Sequence, residues 1–208
     1  MCSISGSYSI EKIKGLTKLN AYRGELSHSI TVFDQTAKVV YQSKGLGPLI
    51  LENHKLPIGY ILVHQQAPTT EYSPDNIHPA IIDGNMLWHN GIIKHDSIHV
   101  NNIKFGTNYT WDTELLLKAL IQQGAAALNN FDGSFACVLK LHDKLYCFRN
   151  EISPLFTDGS HFVNISSTQT VGMRELEPNR LYNINLITGN LQPSSQFKTY
   201  DNPYYFPN

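Results

Sequence analysis

The apolar residues of this chain come in short runs rich in Val, Ile, Phe and Tyr, set apart by turn formers, and only two stretches carry a helical period. Residues 2–9 alternate roughly between small, hydroxyl and β-branched side chains, which suits a strand in a crowded layer. Residues 28–34 and 37–42 read as paired strands ahead of a Gly-Leu-Gly-Pro break at 45–48. A strand at 58–64 runs into a loop at 65–79 rich in Pro, Thr and Asn. Two short strands, 80–83 and 85–89, flank Gly84, and Asn90-Gly91 then marks a turn. A hairpin follows at 134–141 and 144–149, with short strands near 155–156, 161–165 and 181–186. Of the two helices, one places Ile10, Ile13, Leu16 and Leu19 on a face, weakened by Gly15, and ends before Arg23-Gly24. The stronger starts at Asp112-Thr113-Glu114, with Thr110 or Asp112 as cap, and sets Leu116, Ala119 and Leu120 together; from Gly124 the chain extends or bends it to Asn129-Asn130. Many strands with few helices predict an α+β domain built on antiparallel sheets.

At 208 residues the chain suits one domain, assigned to residues 1–190, with residues 191–208 as an aperiodic tail pinned to the surface by Tyr204, Tyr205 and Phe206. Sixteen Lys and Arg against 17 Asp and Glu leave no basic field for nucleic acid and no polybasic membrane anchor. Without a membrane-length apolar run or a signal-peptide layout, a cytoplasmic protein is expected. Three cysteines make no disulfide framework. A two-residue turn at His142-Asp143 sets Cys137 opposite Phe148 and points Cys137 and Cys147 to opposite faces, whereas a three-residue turn would realign them; buried free thiols are the default expectation.

The N-terminus, Met1-Cys2-Ser3-Ile4-Ser5-Gly6, carries chemistry of its own. Removal of Met1 would give Cys2 both a thiol and a free α-amine. The amine titrates near pH 7.7 to 8.0, so one residue would supply a nucleophile and its base. An isolated Met-Cys start is more often the beginning of an edge strand. His89, His95 and His99 hint at a metal, but neither an HExxH pattern nor a cysteine pair accompanies them, and no cofactor or metal is expected.

Further along come Tyr22-Arg23-Gly24-x-x-Ser27, a strand ending in His64, His89-Asn90-Gly91-Ile92-Ile93, Asp112-Thr113-Glu114, Asp132-Gly133-Ser134-Phe135-Ala136 and Ser153-Pro154-Leu155. In this order the motifs resemble the class II glutamine amidotransferase domain of asparagine synthetase and glucosamine-6-phosphate synthase, over residues 1 to about 190. The resemblance implies a four-layer αββα sandwich of two antiparallel sheets, of the N-terminal nucleophile hydrolase type, and hydrolysis of glutamine to glutamate and ammonia. It casts Cys2 as the nucleophile forming a thioester, with Asn90 and Gly91 as the oxyanion hole. Asp112 would receive the α-ammonium of the substrate, and Arg23 would brace the nucleophile loop. A separate synthetase subunit would accept the ammonia. On their own, Asn90-Gly91 is more often a plain turn, Asp112 a helix cap and Arg23 a surface ion-pair residue.

One position departs from the pattern. Where the family has an arginine for the substrate α-carboxylate, this chain has Gln66, with Thr69 and Thr70 nearby as substitute donors. Losing a charge-assisted bond weakens glutamine binding roughly ten- to 150-fold; if that is the defect, Gln66→Arg raises glutaminase turnover, and no gain argues that glutamine is not the substrate. Three readings remain: an amidohydrolase with poor affinity for glutamine or a preference for a related amide, a non-catalytic scaffold for binding or regulation, and an N-terminal Cys hydrolase of another amide. Asn150 after Arg149 also departs from the family's Arg-Asp pair, with structural consequences expected.

Overall fold

The computed structural model describes residues 2–67, 74–159, 163–164 and 172–198. Strand β1 (Ser3–Ser7) is buried along its whole length. Helix α1 (Ile10–Asn20) follows, capped by the Ser9 hydroxyl accepting the Lys12 N–H at 3.3 Å, with Glu11 in the first turn and Lys18 in the last to complement the helix dipole. A 3-10 turn (Ala21–Arg23) leads to β2 (Ser27–Phe33) and β3 (Val39–Leu46). β3 continues through the predicted break because Gly45 lies opposite His28, and the His28 ring occupies the space that a Gly45 side chain would need. Strand β4 (Tyr60–Gln66) likewise outruns its predicted end, since Gln65 pairs with Ser3 and Gln66 with Ser27.

The turn expected at Asn90-Gly91 is absent. Both residues lie inside β6 (Asn85–Ile93), which follows β5 (Ala80–Ile82) and pairs with β7 (Gly133–Leu141), setting Asn90 opposite Ala136 and Gly91 opposite Phe135. That long-range ladder overrides the local turn propensity. Helix α2 (His95–Phe105) has no counterpart among the predicted elements. It docks through Phe105, stacked on Phe131 at 6.3 Å, and through polar atoms: Asn101 Nδ2 donates to the Asn130 carbonyl, and the Ser97 hydroxyl accepts the Asp132 N–H, while Val100 and Ile103 face solvent. Helix α3 (Asp112–Gln123) forms as predicted except at its cap; Trp111 holds the cap position without a side-chain bond, and Asp112 is the first helical residue. Gly124 ends it with a positive φ, and 3-10 turns (Gly124–Asn130) follow.

The hairpin of β7 and β8 (Lys144–Arg149) places Cys137 opposite Phe148, and all three cysteines are free. Asn150 ties the start of β7: its Oδ1 accepts the Phe135 N–H, and its Nδ2 donates to the Gly133 carbonyl. Five short strands complete the order: β9 (Phe156–Thr157), β10 (Val163–Asn164), β11 (Arg174–Glu175), β12 (Arg180–Ile184) and β13 (Leu191–Gln196). The tail expected from residue 191 therefore begins as a strand paired with β12, and Phe197 beyond it is buried. Tyr204, Tyr205 and Phe206 lie outside the described residues.

Among the described residues the strands form two antiparallel sheets, ordered β11-β9-β10-β1-β4-β2-β3 and β13-β12-β8-β7-β6-β5. Between them lies a core of Ile4, Phe33, Tyr60, Leu62, Trp88, Val138 and Leu145. Ile13 of α1 packs on the outer face of the first sheet against Ile30, Val32, Ile61 and Val63. α3 covers the second sheet through Leu116, Leu120, Leu87, Phe135 and Phe148. The result is an αββα arrangement. No described helix is long and apolar enough to cross a membrane.

Candidate active site

Strand alternation decides what meets between the sheets. Tyr60 and Leu62 of β4 face the inter-sheet core, as do Met86 and Trp88 of β6, so His64 and Gln66 on β4 and Asn90 on β6 point the same way. Ser3 pairs with Gln65, which leaves Cys2 abreast of Gln66 at the end of the first sheet. There the Cys2 backbone nitrogen lies 3.3 Å from Asn90 Oδ1, a bond that joins residues from different sheets. Arg23 is buried and donates from Nε to the Cys2 carbonyl at 3.0 Å. The Cys2 thiol lies 3.7 Å from the Ala67 carbonyl. Burial pushes this thiol above its ordinary value, and the Asp112 carboxylate adds to that push, against an opposing pull from Arg23.

Two glycines make this corner possible. A Cβ on Gly91 would stand 1.9 Å from the Ser134 carbonyl oxygen, and one on Gly24 would stand 2.5 Å from the Gln66 carbonyl carbon. Neither position tolerates a side chain without moving backbone. Asp112 reaches the same corner from the start of α3. Its Oδ2 accepts the Ile93 N–H at 3.2 Å and lies 3.7 Å from His89 Nδ1, and its Oδ1 accepts from the Thr113 hydroxyl at 3.3 Å. Burial pushes the carboxyl up, but His89 and these hydrogen bonds outweigh it and hold Asp112 below the ordinary range. His89 is anchored on its far side by the Ser134 carbonyl, 3.3 Å from Nε2.

Cys2, Arg23, Asn90, Gly91 and Asp112, drawn from four separate segments, thus converge. Gln66 stands at the same corner, but its side chain is spent elsewhere. Its Oε1 accepts from the Ser27 hydroxyl at 3.2 Å and lies 3.3 Å from His78 Nδ1, while its Nε2 donates to the Asn76 carbonyl at 3.0 Å. These bonds tie the Gln66 side chain into the scaffold of the corner. Thr69 and Thr70 lie outside the described residues.

Sequence reasoning passed over His78, which links Gln66 to Thr113 through its Nε2 at 3.2 Å and lies against His64, the ring centroids 4.2 Å apart. No pattern in the loop around it signals this role, because its partners come from β4 and α3. Burial drives both rings toward the neutral form and takes His64 down to about 3. His95 and His99 are exposed on α2, away from buried His89, and among the described residues no group of three His, Cys, Asp or Glu side chains could hold a metal.

No protein-family model and no curated protein matches the sequence. Solved structures do resemble the fold. Glutamine phosphoribosylpyrophosphate amidotransferase from B. subtilis, complexed with ADP and GMP, superposes with a TM-score of 0.69 at 18% identity, covering 93% of this chain and 49% of its own. An allosteric regulatory enzyme of purine biosynthesis gives 0.68 at 19%, covering 93% and 48%. A glutamine aminotransferase class-II domain protein from Silicibacter pomeroyi gives 0.51 at 11%, covering 95% and 100%. The chain spans about half the length of the first two. Its two antiparallel sheets flanked by helices share the fold of these amidotransferase structures.

Proposed function

We propose that the protein hydrolyses the side-chain amide of glutamine or a related substrate, releasing ammonia through a thioester on Cys2. The observation that carries this reading is the 3.3 Å contact between the Cys2 nitrogen and Asn90 Oδ1. With Met1 removed, that nitrogen is an α-amine beside the thiol, able to take the thiol proton as sulfur attacks the amide carbon. Because the Oδ1 of Asn90 faces the amine, its Nδ2 is the end available to the developing oxyanion, with the Gly91 N–H as the second donor. Collapse of the tetrahedral adduct breaks the C–N bond, and the amine returns the proton to departing ammonia. Water then cleaves the thioester. Arg23 holds the Cys2 carbonyl, so the nucleophile is presented at a fixed angle. Asp112 supplies the negative charge for a substrate ammonium.

Intact-mass measurement before and after treatment with an alkylating glutamine analogue tests this reading, with Cys2→Ala as control. Loss of Met1 together with one adduct that requires Cys2 is the expected result. Retention of Met1 with no adduct would reject the reading and leave a binding scaffold.

A further inference from the structure

We propose, building on that reading, that the preferred substrate is a glutamine whose α-carboxyl group carries no charge, namely the N-terminal glutamine residue of a peptide. Arg23 is turned to the Cys2 carbonyl. Lys44 is spent on the carbonyls of Ile77 and Pro79, at 2.6 and 2.8 Å. Lys94 is paired with Asp132 at 2.7 Å. In the sequence, residues 65–79 contain neither Lys nor Arg. The only histidine in that stretch, His78, is held neutral by burial.

The place beside Cys2 is then filled by the Gln66 carboxamide, fastened at both ends to Ser27, Asn76 and His78. A bound carboxylate would lose its water there and meet the neutral, already bonded Gln66 carboxamide in place of a charged clamp, with Asp112 adding repulsion. A peptide bond in the same place brings no charge. The other two anchors still fit an N-terminal glutamine: a free α-ammonium for Asp112 and a side-chain amide for Cys2, Asn90 and Gly91. The chain leaving that peptide bond would pass Leu26 and Leu46, which are 43% and 62% exposed. Leu26 donates its N–H to the Gln66 carbonyl at 3.1 Å, and Leu46 pairs with Ser27, so an apolar rim borders Gln66. An apolar second residue suits it.

The reaction balances as a hydrolysis. Sulfur bonds to the side-chain carbonyl carbon, the C–N bond breaks, and the nitrogen leaves as ammonia with the thiol proton. Water then replaces sulfur, leaving an N-terminal glutamate and the restored thiol.

The test uses the full chain with Met1 removed, with Cys2→Ala as control, on L-glutamine, glutaminyl-leucine and N-acetylglutamine. Ammonia release is followed, and product mass separates the glutamyl product from the spontaneously cyclised one. The expected kcat/KM is roughly ten- to 150-fold higher for glutaminyl-leucine than for glutamine, the range set by one charge-assisted bond, and N-acetylglutamine is not hydrolysed. Glutamine turned over as well as the dipeptide would overturn this substrate assignment while leaving the amidohydrolase reading intact. Turnover of neither compound would overturn both.

Discussion

Gln66 shows how a residue at the proposed substrate corner can serve the scaffold. Its carboxamide is buried and bonded to Ser27, Asn76 and His78, so an arginine introduced there would break three contacts and place a charge beside a neutral histidine. Gln66→Arg should destabilise the fold by about 3 to 5 kcal/mol, read from denaturant midpoints, and should not restore glutamine turnover. A variant as stable as the parent with faster glutaminase activity would reverse that view of Gln66. Asn90→Ala belongs to the opposite class. The proposed role predicts a roughly 100- to 1000-fold fall in kcat, the usual cost of one oxyanion donor, with circular dichroism unchanged. The positions that meet at the corner were legible in the sequence because each sits in a short motif with a chemical reason for its residue types. The fate of Gln66 was not, since its His78 partner arrives from a loop whose path no local pattern encodes.

At the scale of elements, legibility follows how each one is held. α3 could be read because Leu116, Ala119 and Leu120 form an apolar stripe. α2 could not, because its packed apolar residues, Ile98 and Phe105, stand seven apart with exposed Val100 and Ile103 between them, and Ser97 and Asn101 add hydrogen bonds that leave no periodic trace. β13 was hidden for a related reason: Leu191–Gln196 is an edge strand whose side chains are largely exposed, so its hydrogen-bond ladder with β12 rather than burial holds it. The anchor is the next residue. Phe197 is buried against Phe135 and Phe148, ring centroids 5.8 and 6.2 Å apart, and its N–H bonds to the Asn179 carbonyl. Phe197→Ala should cost about 3 to 5 kcal/mol in chemical denaturation. Ending the chain after residue 190 should be more damaging still, because β12 then becomes an uncovered edge. A truncated protein that melts like the parent would show that β13 adds nothing to the second sheet.

Across the whole molecule the two sheets meet around a polar interior that ought to govern the response to acid. His64 on β4 belongs to the first sheet and His89 on β6 to the second, while His78 lies between them, bonded to Gln66 and Thr113 with Lys44 nearby. Burial takes His64 down to about 3, and His78 is likewise well below its ordinary value. In the unfolded chain both would bind protons below about pH 6.5. The unfolded state therefore carries more protons in acid, and stability rises with pH. The contribution is complete above about pH 6.5 and is lost as pH falls toward 3, at up to about 1.4 kcal/mol per pH unit for each histidine. Asp112, held below the ordinary carboxyl range, adds a further loss that begins only below about pH 4. Histidine and carboxylate effects thus separate along the pH axis. Melting temperature measured between about pH 6.5 and pH 4 should fall steadily in the parent, and His64→Leu should flatten that slope whatever it does to stability at neutral pH. An equal slope in the variant would mean that the buried ring takes its proton without unfolding, and the polar seam between the sheets would then not be what limits the fold in acid.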